Sequence, residues 1–188
     1  MKKIILCFSC LAIFTLTLFA EQQKSTEESI ALFRVEVNDK WGYIDKTGKI
    51  IITPQFDEAR TFSEGLAAVA TIEKLKSNAD LVNRKWSYIN MTGKIVIDQQ
   101  FSWAGDFSEG LAPVGIEEVG EEKETGHSWT RRLMGYINKT GEVLIKPQFE
   151  AAGNFSNGLA RVGILDGESY KGDGYIDKTG KLVWEPVK

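Results

Sequence analysis

Apolar and aromatic positions recur along this chain in one block whose internal spacing does not change. The block runs from Trp41 to Val69, returns at Trp86–Val114 and Met134–Val162, and begins again at Asp173 as a shorter copy. Its fixed marks in the three full copies are Tyr43/Tyr88/Tyr136, Gly48/Gly93/Gly141, Phe56/Phe101/Phe149, Phe62/Phe107/Phe155 and Gly65/Gly110/Gly158. Gap-free copies of this length identify a repeat protein.

Each block predicts a β-hairpin followed by a third strand. Trp41–Ile44 and Lys49–Ile52 combine alternation with β-branched and aromatic residues, which favours strands. Asp45–Gly48 joins them with Asp or Asn first and Gly fourth, which indicates a type I turn with a G1 bulge. Pro54 ends the pairing, because proline has no N–H for the ladder. Leu66–Val69 then predicts the third strand.

A connector rich in aromatic residues separates the second strand from the third. Phe56, Ala59 and Phe62 are spaced by three, which suits one tight helical turn or an irregular loop held by two buried rings. We expect the connector phenylalanines to form the core together with the recurrent tyrosines, which are Tyr43, Tyr88, Tyr136 and Tyr175.

The two ends of the repeated region set its phase. Leu32–Val35 resembles the third strand without a preceding turn, and the chain finishes on the hairpin that starts at Asp173. The sequence therefore predicts one all-β domain over residues 30–188, with four three-stranded antiparallel repeat units and twelve strands in a curved, solenoid- or propeller-like array. A closed ring and an open arc both remain compatible with this pattern.

All length variation between the copies lies in one hairpin connection, at residues 36–40, 70–85, 115–133 and 163–172. These connections should project from the same edge, which in repeat arrays is often the binding face. The longest of them supplies the candidate partner-binding residues His127, Trp129, Arg131 and Arg132. The alternative is a solvated hairpin tip, with Trp129 capping its own hairpin.

The first twenty residues resemble an export signal. Residues 1–20 combine a basic start with an apolar run that ends at Ala20, as secretory signal peptides do, and residues 21–29 form a polar tether. Leu18 fits the small-residue cleavage pattern poorly, and an uncleaved membrane anchor is the alternative. Cys7 and Cys10 both lie inside this segment, and Cys10 does not close it as a lipoprotein signal requires. Cleavage would leave no cysteine for a disulfide, metal site or nucleophile.

Charge and motifs exclude several classes of function. Removing the two signal lysines takes the net charge from −3 to about −5, which is against nucleic-acid binding. His127 is the single histidine, and no metal, nucleotide or hydrolase motif is present. Asp45 and Asp177 occupy turn positions where Asn90 and Asn138 serve equally well, so they are turn formers and not catalytic acids. We expect no enzyme activity and no cofactor.

Lys40–Asp45, followed by Gly48-Lys49 and by Phe62–Ala67, resembles the WG (KWG) repeat family of bacterial proteins. The resemblance extends from Leu32 to Pro186. The chain departs from the motif where Ser87 replaces its glycine and where Met134 and Asp173 replace its tryptophan, which favours a packing role for that tryptophan. The resemblance implies an all-β repeat scaffold, often exported or associated with the envelope, that mediates binding, and it carries no catalytic residues to transfer.

These observations leave two functional hypotheses and a plain structural role. The preferred hypothesis is protein or peptide binding through the variable hairpin connections, in an exported protein that is periplasmic, attached to the cell envelope or secreted. The alternative is a cell-wall or glycan-binding module of the envelope. A spacer without a ligand is the remaining reading. Contact with a membrane is expected only through the signal segment if it stays uncleaved.

Overall fold

The structure is a computed structural model that describes residues 31–75, 78–121, 128–167 and 169–185. The predicted signal peptide, the tether and His127 lie outside these residues. Within them, no helix has the length and apolar character needed to cross a membrane.

The described chain forms strands joined by turns. In chain order they are β1 (Phe33–Val37), β2 (Lys40–Ile44), β3 (Ile50–Phe56), β4 (Glu58–Ala59), β5 (Leu66–Leu75), β6 (Asn78–Asn90), β7 (Ile95–Phe101), β8 (Trp103–Ala104), β9 (Leu111–Glu121), β10 (Ser128–Asn138), β11 (Val143–Phe149), β12 (Ala151–Ala152), β13 (Leu159–Asp166), β14 (Ser169–Asp177) and β15 (Leu182–Trp184). The all-β expectation is therefore confirmed.

Consecutive strands form four antiparallel sheets, which we number along the chain. Sheet 1 contains β1–β3, sheet 2 contains β4–β7, sheet 3 contains β8–β11 and sheet 4 contains β12–β15. The expected count of three strands holds for sheet 1 alone. Sheets 2, 3 and 4 each gain a two-residue strand from the connector, such as Glu58–Ala59, which pairs with Val69 and Ala70. A strand of two residues is too short to show alternation, so the sequence pattern did not reveal it.

The hairpin turn has the predicted geometry. Asp45 accepts the Gly48 N–H at 3.0 Å and donates its own N–H to the Lys49 carbonyl at 3.0 Å, and Gly48 has φ of 84°. This is a type I turn with a G1 bulge. The Asp45 carboxylate also accepts hydrogen bonds from the Thr47 hydroxyl and N–H and from the Lys49 N–H. Asn90 and Asn138 form the same bonds in the next two sheets, which explains why Asp and Asn exchange here.

The connector ends in a second tight turn. Ser63 and Leu66 exchange both backbone hydrogen bonds at 2.9 and 3.0 Å, while Glu64 and Gly65 have φ of 51° and 85°. Positive φ at both central residues defines a type I′ turn. The connector therefore combines one short strand with this turn, and the alternative of a helical turn is wrong.

The core consists of three equivalent clusters, each between consecutive sheets. In each cluster a buried tyrosine meets a connector phenylalanine edge-on, with 4.7 Å between the ring centroids of Tyr43 and Phe62. The Tyr43 hydroxyl donates to the Arg60 carbonyl at 2.7 Å, and the tyrosines of sheets 2 and 3 repeat both contacts. Burial raises the pKa of all three tyrosines. The expectation that these rings are core is confirmed for Tyr43, Tyr88 and Tyr136.

Tyr175 corrects that expectation, because 41% of it is exposed. No connector phenylalanine covers Tyr175 in the described residues, and its nearest ring is Trp184 at 6.3 Å. The same face carries an ion pair between Arg161 and Asp173, which stands at the tryptophan position of the repeat. Sheet 4 therefore has a more polar face than its sequence pattern indicated.

The glycine after the repeat tryptophan makes room for a proline. A Cβ atom on Gly42 would lie 2.4 Å from the Ile52 carbonyl oxygen and 2.6 Å from the Pro54 nitrogen. Gly135 and Pro147 repeat this approach at 2.7 Å. In sheet 2 both residues change together, since Ser87 replaces the glycine and Gln99 replaces the proline. The departure at Ser87 is thus a paired substitution.

The type I′ turns of successive sheets are linked to one another. The Ser63 hydroxyl donates to the Phe107 carbonyl at 2.6 Å, and the Glu64 carboxylate accepts the Gly110 N–H at 3.1 Å and pairs with Lys139 at 3.0 Å. Ser108, Glu109 and Lys178 repeat these bonds one sheet later. The hydrogen bond from Lys178 holds the pKa of Glu109 below its usual range. Burial alone would raise the pKa of Glu64, but the hydrogen bonds that its carboxylate accepts from Lys139 and from backbone N–H groups outweigh burial, so this pKa is lowered as well.

Candidate functional site

The variable hairpin connections continue the ladders of their sheets outwards. In sheet 3, β9 and β10 pair from Leu111↔Asn138 to Glu121↔Ser128 without a register shift. Much of the stretch 115–133, expected to be a loop, is therefore a two-stranded ribbon. In sheets 1–4 the variable connection joins the equivalent pair of strands, β1–β2, β5–β6, β9–β10 and β13–β14. The variable connection therefore has the same place in each sheet, and its projection from one edge of the array stays a prediction.

Three large side chains fill the space between sheets 2 and 3 at the base of these ribbons. The Arg60 guanidinium lies between two indole rings, 5.3 Å from the centroid of Trp86 and 4.9 Å from that of Trp103. Cation–π attraction of this kind is strongest where water is excluded, and Trp86 is only 5% exposed. The recurrent tryptophan of sheet 2 is thus a packing residue, as its loss in other copies indicated.

The equivalent positions between sheets 3 and 4 carry smaller residues than Trp86, Arg60 and Trp103. Met134 replaces Trp86, Gly105 replaces Arg60, and Ala151 replaces Trp103. A groove of about 490 Å³ opens there, compared with about 240 Å³ between sheets 2 and 3. We call it the 3–4 groove, and it is lined by Trp103, Thr130, Arg131, Arg132, Met134, Glu150, Ala151 and Ala152. Two of the three replaced positions, Met134 and Ala151, line this larger groove.

The two arginines of the 3–4 groove differ in their bonding. Arg131 forms an ion pair with Glu118 at 2.9 Å. Arg132 has neither an ion pair nor a side-chain hydrogen bond among the described residues, although Glu117 is its cross-strand neighbour. Its aliphatic stem lies over Gly115, where an added Cβ would come within 2.6 Å of the Arg132 Cδ. Arg132 therefore presents to the groove a charged group that has no partner in the described part of the chain.

The basic residues of the smaller groove between sheets 2 and 3 are already neutralised. Arg84 pairs with Glu58 at 2.7 Å, and Lys85 pairs with Glu73 at 2.9 Å. Both basic residues line that groove. The 3–4 groove is thus both the larger of the two and the one with an unpaired cation.

Two of the four candidate residues from the sequence, Arg131 and Arg132, line the 3–4 groove. Trp129 pairs its backbone with Gly120 on the ribbon, and its side chain lies outside the described part of the structure. His127 is not described. Sequence reasoning missed Trp103, Met134 and Ala151, since their role depends on which sheets meet. The available signal was the joint loss of large residues at equivalent repeat positions.

Glu150 is the single carboxylate among the residues that line the 3–4 groove. Among residues 31–75, 78–121, 128–167 and 169–185, no cluster of His, Cys, Asp and Glu is arranged to hold a metal ion. The recurrent Asp45 and Asp177 are engaged in their turns, where hydrogen bonds from Thr47 and Thr179 lower the pKa of each carboxyl group despite slight opposing desolvation. The arrangement suits binding.

Four antiparallel sheets that meet through equivalent clusters define an all-β repeat protein. The family model for the WG containing repeat matches residues 41–71, 86–118 and 134–166, which is more than half of the chain. The chain therefore belongs to the WG-repeat family. No curated protein and no solved structure shows significant similarity to it.

Proposed function

We propose that this protein is an exported, non-catalytic repeat scaffold that binds a protein or peptide partner in the 3–4 groove. The observation that carries the proposal is the groove of about 490 Å³ beside Arg132, which is unpaired among the described residues, where Met134 and Ala151 stand at positions that carry tryptophans one sheet earlier. Binding sites combine concave apolar surface with a few polar groups that fix orientation. Trp103 and Met134 supply the apolar surface, and Arg132 supplies the polar group.

Refilling the groove tests this proposal. Ala151→Trp introduces the side chain that Trp103 provides one sheet earlier, so the fold has a precedent for it. Proteins retained from the native envelope by the wild-type chain are compared with those retained by Ala151→Trp, with Arg84→Gln, outside the 3–4 groove, as the control. We expect a partner that binds the wild type and the control and is lost with Ala151→Trp. An unchanged set of retained proteins would contradict the proposal.

Export rests on residues 1–20, whose basic start and apolar run are typical of a signal peptide. Mass spectrometry of the protein recovered from the envelope fraction or medium should give a chain that begins at Glu21. Recovery of the full-length chain in the membrane fraction would favour the retained anchor instead. For the whole array we propose a curved, solenoid- or propeller-like arrangement, supported by the bonds that link successive type I′ turns.

Glycan binding is a second candidate, favoured by one specific feature of sheet 4. Tyr175 and Trp184 form a pair of rings that are 41% and 55% exposed. Exposed aromatic faces are surfaces on which sugar rings stack. Retention of the protein on purified peptidoglycan or on a glycan array, abolished by Trp184→Ala, would support this candidate. Absence of retention removes it. The tyrosines shared by sheets 1–3 are buried and cannot serve such a site.

A further inference from the structure

We propose that the 3–4 groove binds an extended, acidic peptide segment as an added β-strand on the open edge of β10. The inference rests on the proposed function and specifies its ligand and geometry. It follows from three features of the described residues: an unpaired strand edge, an apolar floor, and a free guanidinium beside both.

The first feature is the open edge of β10. β10 pairs with β9 along its whole length, from Ser128 to Asn138. On its other side, β10 pairs with β11 from Met134 towards Asn138 only. Met134↔Phe149 is the last pair towards the ribbon, because the chain crosses to sheet 4 after Phe149. Among the described residues, no strand therefore pairs with Ser128–Leu133 on that side. Alternate residues of such a segment direct N–H and C=O groups outwards, where an added strand can bind them.

Sheet 4 also has a free strand edge next to the groove residues Ala151 and Ala152. β12 pairs with β13 at Ala151↔Gly163 and Ala152↔Val162 only. The outer residues Ile164–Asp166 of β13 pair with β14, and no strand of the described residues pairs with them on the side of β12. In the smaller groove one sheet earlier, the corresponding residues Ile116 and Glu117 form the far wall. An extended segment in the 3–4 groove would lie against an unsatisfied edge.

Side chains determine which segment fits. Arg132 offers an unpaired guanidinium, which binds carboxylates through parallel hydrogen bonds. Trp103 and Met134 offer apolar surface in the same groove. Residues i and i+2 of a strand share one face, so the expected pattern is an acidic residue and an apolar residue separated by one. Glu150 at the rim disfavours a second acidic residue on its side.

A synthetic strand serves as the probe. It is a fluorescein-labelled peptide of alternating Thr and Val in which one Asp stands two residues before one Phe. Its anisotropy is measured against the full chain. We expect saturable binding that weakens about tenfold, worth about 1.4 kcal/mol, when the peptide Asp becomes Asn or when Arg132→Gln is used. Arg84→Gln removes the charge at the equivalent position of sheet 2, outside the 3–4 groove, and should leave binding within about twofold.

Two N-methylated peptides, each blocking one edge of the probe, test strand addition itself. At least one should lose binding by tenfold or more, because methylation removes the amide donors and keeps every side chain. Equal binding of both methylated peptides and the parent, with binding still abolished by Ala151→Trp, would overturn strand addition and leave the groove as the binding site. Binding that survives Ala151→Trp would count against both proposals.

Failure of the parent peptide to bind below about 1 mM, a free energy of about −4 kcal/mol, would overturn the inference alone. The envelope retention experiment would then decide the proposed function by itself. Circular dichroism of each variant establishes that it is folded before binding is measured. Binding that depends on Arg132 but not on the peptide Asp would also be against the inferred ligand chemistry.

Discussion

The pairing of Gly42 with Pro54 gives the sharpest test of the fold. Gly42→Ser would place a Cβ 2.4 Å from the Ile52 oxygen and 2.6 Å from the Pro54 nitrogen, whereas contacts under 3.0 Å essentially never occur. All the clashing atoms belong to the backbone, so no side chain can rotate away. Overpacking costs about 1–3 kcal/mol, and we expect a value near 3 kcal/mol here.

The double variant Gly42→Ser with Pro54→Gln recreates the pair Ser87 and Gln99 that sheet 2 accepts. Pro54→Gln alone should cost about 0.5–1 kcal/mol through the entropy of the unfolded chain. We expect a favourable coupling of about 1–2 kcal/mol between the two changes. Gly42→Ser alone should lower the melting temperature by about 6–10 °C, and the double variant should recover part of that decrease.

Urea unfolding followed by circular dichroism measures all three variants, with unchanged slope m as the check that only stability differs. Ser87→Gly in sheet 2 is the control, which removes one hydrogen bond to Asp98 and should cost about 1 kcal/mol or less. A coupling energy indistinguishable from zero would refute the reasoning. In that case the joint change of glycine and proline in sheet 2 would have no steric origin.

The remaining predictions concern the tyrosines, the arginine between two indoles and the turn carboxylates. Tyr88→Phe removes the hydroxyl that donates to the buried Gly105 carbonyl at 2.8 Å and should cost about 1–3 kcal/mol in urea unfolding, while the exposed Tyr175→Phe should stay within about 0.5 kcal/mol. Arg60→Gly, the residue found at the equivalent positions, should cost about 2 kcal/mol and shift tryptophan emission to the red, because two cation–π contacts are lost. Unshifted emission would contradict that packing. Glu64 and Glu109 have lowered pKa values, so their contribution to stability is present above the ordinary value of 4.5 and is lost as pH falls through the lowered one. The double Gln variant should therefore lose less stability than the wild type between pH 6 and pH 3, and equal losses would count against the turn-to-turn bonds.

Differences between the copies explain more of this protein than their shared residues do. Every full copy keeps the tyrosine, the phenylalanines and the turn glycines, which build the equivalent clusters between consecutive sheets. The positions that change are those at the base of the ribbons, where Met134 and Ala151 stand in for tryptophans. A repeat that leaves one junction underfilled has space for a ligand at that junction.

The sequence alone determined the elements that depend on neighbouring residues. The hairpin turns at Asp45–Gly48 follow from local hydrogen bonds and positive φ, and these are properties of the residues within the turn. Burial of Tyr43 and its equivalents also followed from their recurrence. Tyr175 is the exception, because a tyrosine at this repeat position is buried only where a connector also covers it.

Tertiary structure alone decided which copies meet and what remains open between them. The two-residue strands exist because the connector runs beside the next sheet, and no alternation within Glu58–Ala59 could show this. The 3–4 groove likewise depends on Trp103 and Met134 of sheet 3 and Ala151 of sheet 4, which come from separate segments of the chain. Local chemistry acts over a few residues, whereas cavity volume and a free strand edge arise only when separate segments are brought side by side.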